Sequence, residues 1–289
     1  MPSVPGVDRE FSGLDGIRIA ASVAGNPSDP PVLLAHGGGQ TRHSWHTTTT
    51  ALGNAGWYAV SIDLRGHGDS GWSPDGDYSM DRFSGDVIEV ARALGEPVLI
   101  GASLGGTSSL NAMGRTADDP CGRALVLVDV APNIERAGAN RILDFMREHL
   151  ETGFASLEEV ADAVHAYNPH RPRPSDLSGL KKNVRLHDDG RWYWHWDPAF
   201  MINRPFDDES RTRELRVEVM EAAARSLTVP TLLVRGRQSD LLSEEGARKF
   251  VELVPHATLA DVGGAGHMVA GDRNDAFNDA VTGFLAALR

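Results

Sequence analysis

Ser103 lies in the segment Gly101-Ala102-Ser103-Leu104-Gly105-Gly106. The small residues around it are typical of a serine that acts as a nucleophile. The apolar residues 97–100 predict a buried strand, and residues 107–113 can form a helix. Gly-x-Ser-x-Gly between a strand and a helix is typical of a nucleophile elbow, a tight turn that exposes the serine hydroxyl. Small neighbours let the chain fold back, and the helix N–H groups can stabilise negative charge nearby. The alternative is a plain structural turn.

A serine hydroxyl also needs a base, and the base needs a third group to orient it. His267 follows the last predicted strand in a glycine-rich segment, so we expect it to be the base, with a surface-loop histidine as the alternative. Two carboxylates could orient it. Asp240 follows a late strand and gives the order Ser, Asp, His that accompanies this elbow. Asp129 ends the strand after the elbow helix, near the same edge of the sheet. The sequence favours Asp240 and keeps Asp129 as the alternative acid.

The negative oxygen of a tetrahedral intermediate needs two N–H donors. We expect the backbone of Leu104, directly after the serine, to supply one of them. The second is expected from the segment His36-Gly37-Gly38-Gly39, where Gly38 is the preferred donor of an oxyanion hole. We predict that His36 and Gly37 lie beside the substrate. His36 is expected to pack and to form hydrogen bonds rather than to act as a base.

The segment Trp192-Tyr193-Trp194-His195-Trp196 is rich in aromatic side chains. Such a run is more typical of the core of a lid than of a substrate cage, but its alternation lets one side roof an apolar pocket. We therefore predict that Trp194 and Trp196 contact the substrate. His195 could line the pocket or face solvent, and the sequence leaves both open.

Unbroken apolar strands alternate with helices in both outer parts of the chain, as in a parallel sheet covered on both faces. The predicted fold class is therefore α/β, with a mostly parallel central sheet flanked by helices. The alternation stops between residues 133 and 225, where helical patterns and the aromatic segment predict an inserted, mainly helical lid. The predicted domains are a first core part at 1–132, the lid at 133–225 and a second core part at 226–289.

The composition limits the classes of partner. The chain has 289 residues and a formal net charge of −12, which argues against binding nucleic acid or an anionic membrane surface. We expect a small-molecule substrate, and a homo-oligomer is left open. Cys121 is the single cysteine, residues 1–11 resemble no export signal, and no apolar run is long enough for a membrane span. These features predict a soluble, cytoplasmic protein.

No cofactor or metal is expected. The glycines Gly66, Gly68 and Gly71 match a dinucleotide fingerprint in spacing, but turn residues follow them where that fingerprint needs a helix. The sequence has no His-Glu-x-x-His motif and no paired cysteines, so a metal enzyme is not expected.

Four motifs in this order resemble those of the α/β-hydrolase superfamily, and the resemblance covers nearly the whole chain. They are residues 36–39, 63–70, 101–106 and 266–267. The resemblance implies the α/β-hydrolase fold, a triad of Ser103, Asp240 and His267, and the two oxyanion donors. The lidded branch includes esterases, cofactor-free haloperoxidases, carbon–carbon hydrolases, epoxide hydrolases and haloalkane dehalogenases. The last two use aspartate where this chain has Ser103, so their chemistry is not expected.

The predicted function is that of a serine hydrolase, a carboxylesterase that cleaves a small-to-medium apolar ester through an acyl-enzyme. The alternative is a carbon–carbon hydrolase, lactonase or perhydrolase that uses the same triad. A more remote alternative is a non-catalytic receptor for a small molecule on the same scaffold.

Overall fold

The computed structural model describes residues 7–169, 173, 175–202, 210–267 and 274–289. Its strands are β1 (Val7–Ser12), β2 (Arg18–Ala24), β3 (Pro31–Ala35), β4 (Tyr58–Ile62), β5 (Val98–Ala102), β6 (Ala124–Val128), β7 (Val184–Leu186), β8 (Trp192–Trp194), β9 (Thr231–Gly236) and β10 (Thr258–Val262). Eight of them form one sheet in the order β1-β2-β4-β3-β5-β6-β9-β10. Strand β2 is antiparallel to both of its neighbours. The other neighbours in this sheet, in the order β4-β3-β5-β6-β9-β10, all pair in parallel. The predicted fold class is confirmed.

Helices cover both faces of this sheet. They are α1 (His46–Asn54), α2 (Met80–Leu94), α3 (Leu104–Arg115), α4 (Arg136–Arg147), α5 (Leu157–Tyr167), α6 (Ala199–Ile202), α7 (Ser210–Arg225), α8 (Glu244–Leu253) and α9 (Asn274–Ala286). Alternate strand residues point to opposite faces, so the sheet supports two apolar layers. Leu33 and Leu99 pack with α2, and Leu34 and Ile100 belong to the layer that contains Phe277 of α9.

The segment 133–225, predicted as a lid, contains strands as well as helices. Strands β7 and β8 pair as an antiparallel hairpin, and β8 begins the aromatic segment. A 3₁₀ turn, Ser178–Lys182, precedes the hairpin. Helix α7 packs closely against α3 of the core. A Cβ added at Gly114 of α3 would lie 2.5 Å from the Cβ of Ala223 in α7. The two boundaries between the core parts and the lid stay a prediction, and residues 170–172 and 174 of this segment lie outside the described residues.

The parallel strands bring distant parts of the chain to one edge of the sheet. The segments that follow β3, β5, β6, β9 and β10 all leave from the carboxyl ends of these strands. In an open α/β sheet this is the edge where ligands bind. Within the described ranges, no helix combines the length and apolar character that crossing a bilayer requires.

Candidate active site

Ser103 occupies a strained turn between β5 and α3. Its backbone angles, φ 47° and ψ −113°, lie in a region that non-glycine residues rarely adopt. The turn needs bare neighbours, because a Cβ at Gly101 would lie 2.5 Å from the backbone of Gly105, and one at Gly105 would lie 2.3 Å from the oxygen of Ala35. The Ser103 N–H donates to the oxygen of Val128 at 3.2 Å, which ties the turn to β6. This geometry is that of a nucleophile elbow.

His267 is held by a buried carboxylate. Its Nδ1 lies 2.7 Å from Oδ2 of Asp129, whose side chain is fully buried. The Gly236 N–H donates to Oδ1 of Asp129 at 3.0 Å, and the Ser239 hydroxyl donates to Oδ2 at 2.5 Å. With its proton on Nδ1, the His267 ring keeps Nε2 as an acceptor. Ser103 and His267 both line the same cavity.

Asp240 lies one residue beyond Ser239 but takes a different partner. Its Oδ2 lies 2.9 Å from Nη1 of Arg141, and 43% of its side chain is exposed. The structure therefore corrects the expected pairing: the carboxylate at His267 is Asp129, the alternative acid. Strands β6 and β9 are neighbours, so their carboxyl ends lie side by side and chain order does not separate the two candidates.

The glycine segment after β3 borders the elbow. A Cβ at Gly37 would lie 3.4 Å from the Cβ of Ser103, and one at Gly38 would lie 3.8 Å from Cδ2 of Leu104. The N–H of Gly37 donates to Oε1 of Gln40 at 3.0 Å. The N–H groups of Gly38 and Leu104 donate to no residue that the structure describes. Gly38 lines the cavity and Leu104 directly follows Ser103, so the role of these two groups as oxyanion donors stays a prediction.

His36 lies behind this segment rather than in the cavity. Its Nδ1 donates to the oxygen of Gly37 at 2.7 Å, and its Nε2 accepts the Leu64 N–H at 3.0 Å. Burial lowers the pKa of His36 to about 4, so the ring is neutral near pH 7. The ring is fully buried and does not line the cavity. The expectation that His36 contacts substrate is corrected, whereas its packing and hydrogen-bonding role agrees with the structure.

Two further imidazoles bind Gly39. The Gly39 N–H donates to Nε2 of His67 at 3.2 Å, and Nε2 of His195 donates to the Gly39 oxygen at 3.3 Å. His195 also accepts the Gly68 N–H on Nδ1 at 2.7 Å. Burial and the neighbouring imidazoles lower the pKa of His195. His195 therefore neither lines the cavity nor faces solvent: it joins the aromatic segment to the glycine segment.

The cavity has a volume of about 650 Å³. Core residues that line it include Gly37, Gly38, Gly39, Gln40, His43, Trp45, Ser103, Val128 and His267. Residues of the segment 133–225 that line it include Ile142, Phe145, Met146, Val164, His165, Tyr167, Asn168, Arg173, Leu180, Lys182, Asn183, Trp194 and Trp196. The rings of Trp194 and Trp196 stack at 4.8 Å. Both tryptophans are thus at the cavity, and their contact with substrate stays a prediction.

Some residues of the site carry no signal in the sequence. Three hydrogen bonds of the site form only in the folded chain. They join Ser239 to Asp129, Gln40 to Gly37, and His195 to Gly39. A hydroxyl, an amide or an imidazole in a loop is too common to mark such a role. Across the part of the chain that the structure describes, no three His, Cys, Asp or Glu side chains form a group that could hold a metal ion.

Comparison with known proteins gives consistent matches. A model of the alpha/beta hydrolase family matches residues 32–280. An esterase of Mycobacterium tuberculosis is 32% identical over 265 residues, which cover 89% of this chain and 83% of that protein. The 3-hydroxybutyrate-oligomer hydrolase of Cupriavidus necator is 31% identical, with 86% of this chain and 87% of that protein covered. The crystal structure of E-2-(acetamidomethylene)succinate hydrolase matches with a TM-score of 0.80, over 97% of this chain and 99% of that one. At 24% identity, this match shows the fold alone.

Proposed function

Because the chain belongs to the alpha/beta hydrolase family, we propose that it is a serine carboxylesterase that cleaves small-to-medium, largely apolar esters. The observation that carries the proposal is the His267–Asp129 pair at 2.7 Å, in a cavity that also contains the strained Ser103. Two relatives more than 30% identical, named as an esterase and as an oligomer hydrolase, support ester cleavage as the reaction.

In the proposed reaction, Asp129 holds the proton on Nδ1 of His267, so Nε2 can take the proton of the Ser103 hydroxyl. The serine oxygen attacks the ester carbonyl and a tetrahedral intermediate forms. Its negative oxygen accepts hydrogen bonds from the N–H groups of Gly38 and Leu104. The intermediate collapses to an acyl-enzyme on Ser103, and His267 returns the proton to the departing alcohol.

The second half of the reaction repeats these steps with water. His267 takes a proton from a water molecule, which attacks the acyl carbonyl. The same two N–H groups hold the second tetrahedral oxygen, and the carboxylic acid leaves as Ser103 recovers its proton. The apolar wall of the cavity, which includes Phe145 and Met146, suits the hydrocarbon part of such a substrate.

The test is hydrolysis of 4-nitrophenyl butyrate by the wild type and by Ser103→Ala. We expect the variant to lose turnover and to keep its fold, which circular dichroism checks. A fluorophosphonate probe should label the wild type and not the variant. Retained turnover in Ser103→Ala would contradict the proposal, and a wild type that the probe does not label would favour a non-catalytic receptor.

A substrate panel tests the alternative chemistry. A ketone, a lactone, and acetate with hydrogen peroxide report carbon–carbon cleavage, lactone opening and perhydrolysis on the same residues. We expect a simple ester to give the highest kcat/KM of the panel. A small-molecule substrate, with neither nucleic acid nor a membrane as a partner, and a cytoplasmic location belong to the same proposal. A homo-oligomer stays open, and cell fractionation tests the location.

A further inference from the structure

The cavity above Ser103 differs in charge from the rest of the chain. The formal net charge of the protein is −12, yet no Asp or Glu is among the described residues that line the cavity. The ionic side chains in its wall are cations, Arg173 and Lys182, and His43 lies there as well. A negative group would therefore meet less repulsion here than over most of the surface.

Of these two cations, Lys182 is the one with no anionic partner among the residues that the structure describes. Nε of Arg173 lies 2.7 Å from a carboxylate oxygen of Asp162, so its charge is already paired. The Lys182 ammonium forms no ion pair with any residue in the described ranges. The nearby Arg185 is paired with Asp69 at 3.2 Å. Lys182 thus offers an unmatched positive charge.

Lys182 also lies at a junction. It lines the main cavity and a second, smaller cavity of about 270 Å³, and His43 lines both as well. Burial, followed by the charges of Arg42 and Lys182, lowers the pKa of His43. His43 is therefore a neutral hydrogen-bonding group beside the ammonium at pH 7. The other wall, which includes Phe145, Met146 and Leu180, is apolar.

We propose that the cavity selects esters with a carboxylate at a distance from the bond that is cleaved, and that Lys182 binds this carboxylate. The inference rests on the proposed ester hydrolysis at Ser103 and narrows its substrate class. One ammonium beside a neutral imidazole matches the single charge of a carboxylate, whereas a phosphate monoester carries about two negative charges at pH 7. The apolar wall takes the hydrocarbon between the two polar ends of such a molecule.

Two matched pairs of esters test the proposal. Mono-4-nitrophenyl suberate and 4-nitrophenyl octanoate differ in a carboxylate on the acyl part. The butanoyl esters of 4-hydroxybenzoate and of methyl 4-hydroxybenzoate differ in a carboxylate on the alcohol part. For at least one pair, we expect the wild type to give a kcat/KM that is about twofold to fivefold higher for the charged member, which is the upper part of the range for one exposed ion pair.

The variants Lys182→Met and Lys182→Glu measure the contribution of the ammonium. Lys182→Met should abolish the preference for the charged ester, and Lys182→Glu should reverse it. Salt at 0.5 M should reduce the preference of the wild type, since screening weakens an exposed pair. The matched control is Lys181→Met, because Lys181 is also exposed and lines only the smaller cavity.

The outcomes separate the two proposals. If Lys182→Met keeps the wild-type ratio of kcat/KM in both pairs, or if the wild type prefers the neutral member of both, the inference is wrong and the esterase proposal stands. If Lys181→Met lowers the ratio as far as Lys182→Met does, the effect is general surface charge and the inference is again wrong. If Ser103→Ala hydrolyses these esters, the proposed function itself fails.

Discussion

Replacement of each candidate acid by asparagine should affect kcat/KM very differently, with a large loss for Asp129→Asn and a small change for Asp240→Asn. Asp129 is fully buried and accepts three hydrogen bonds, among them that of His267. In Asp129→Asn, the side-chain oxygen can keep the Gly236 N–H, which turns the NH₂ group toward His267. An NH₂ group donates to Nδ1, so the ring proton moves to Nε2 and the ring cannot accept the proton of Ser103.

The expected loss for Asp129→Asn is large. The same tautomer error in a serine protease triad lowers kcat by about 10⁴, so we expect kcat/KM to fall roughly 10³- to 10⁴-fold, or about 4–5.5 kcal/mol of activation free energy. Asp240 makes only a half-exposed ion pair with Arg141, a contact worth about 0–1 kcal/mol. Asp240→Asn should therefore change kcat/KM by less than about threefold.

The assay is steady-state hydrolysis of 4-nitrophenyl butyrate, with thermal unfolding of each variant as the control for folding. If Asp240→Asn loses as much activity as Asp129→Asn, Asp129 is not the sole acid that serves His267, and the assignment of Asp129 is wrong. Should Asp129→Asn fail to fold, Asp240→Asn decides alone, since near-wild-type activity in that variant excludes Asp240 as the acid.

Two further predictions concern stability. Gly105→Ala places a methyl group 2.3 Å from the backbone oxygen of Ala35, so it should lower the free energy of unfolding by about 1–3 kcal/mol or more. Urea denaturation measures this change. A variant as stable as the wild type would show that the elbow can relax. The pKa of His36 is lowered from 6.5 to about 4, so the protein should become less stable as the pH falls. Between pH 7 and pH 5 the unfolded chain takes up a proton that folded His36 does not, so His36 alone should reduce stability by about 2 kcal/mol, and His195 acts in the same direction. Urea denaturation at both pH values checks this, and equal or higher stability at pH 5 would contradict it.

The elbow and His267 are the parts of the site that local sequence predicts well. The glycines around Ser103 are needed by close approaches within the turn itself, so their spacing carries the information. The position of His267 after the last strand of a parallel sheet follows from topology alone.

The choice of acid could not be made in this way. Asp129 and Asp240 both follow strands, and those strands are neighbours in the sheet. What separates them is side-chain direction. Asp129 has a left-handed backbone, φ 52°, and its carboxylate lies against His267, whereas Asp240 lies near the α4 residue Arg141. The pattern of residue types in a sequence does not predict the direction of these side chains.

Histidine side chains also hold the glycine segment beside the elbow. In the glycine segment, the N–H of Gly37 donates to Gln40 and that of Gly39 donates to His67. The N–H of Gly38 has no acceptor among the described residues, which agrees with its proposed role as an oxyanion donor. His195 holds the Gly39 oxygen, and it belongs to the segment 133–225, which contributes part of the cavity wall. Because the His195 ring joins this segment to the glycine segment, loss of the contact should also loosen the chain next to Gly38. On the proposed mechanism, the segment 133–225 therefore supports the chemistry as well as the wall of the cavity.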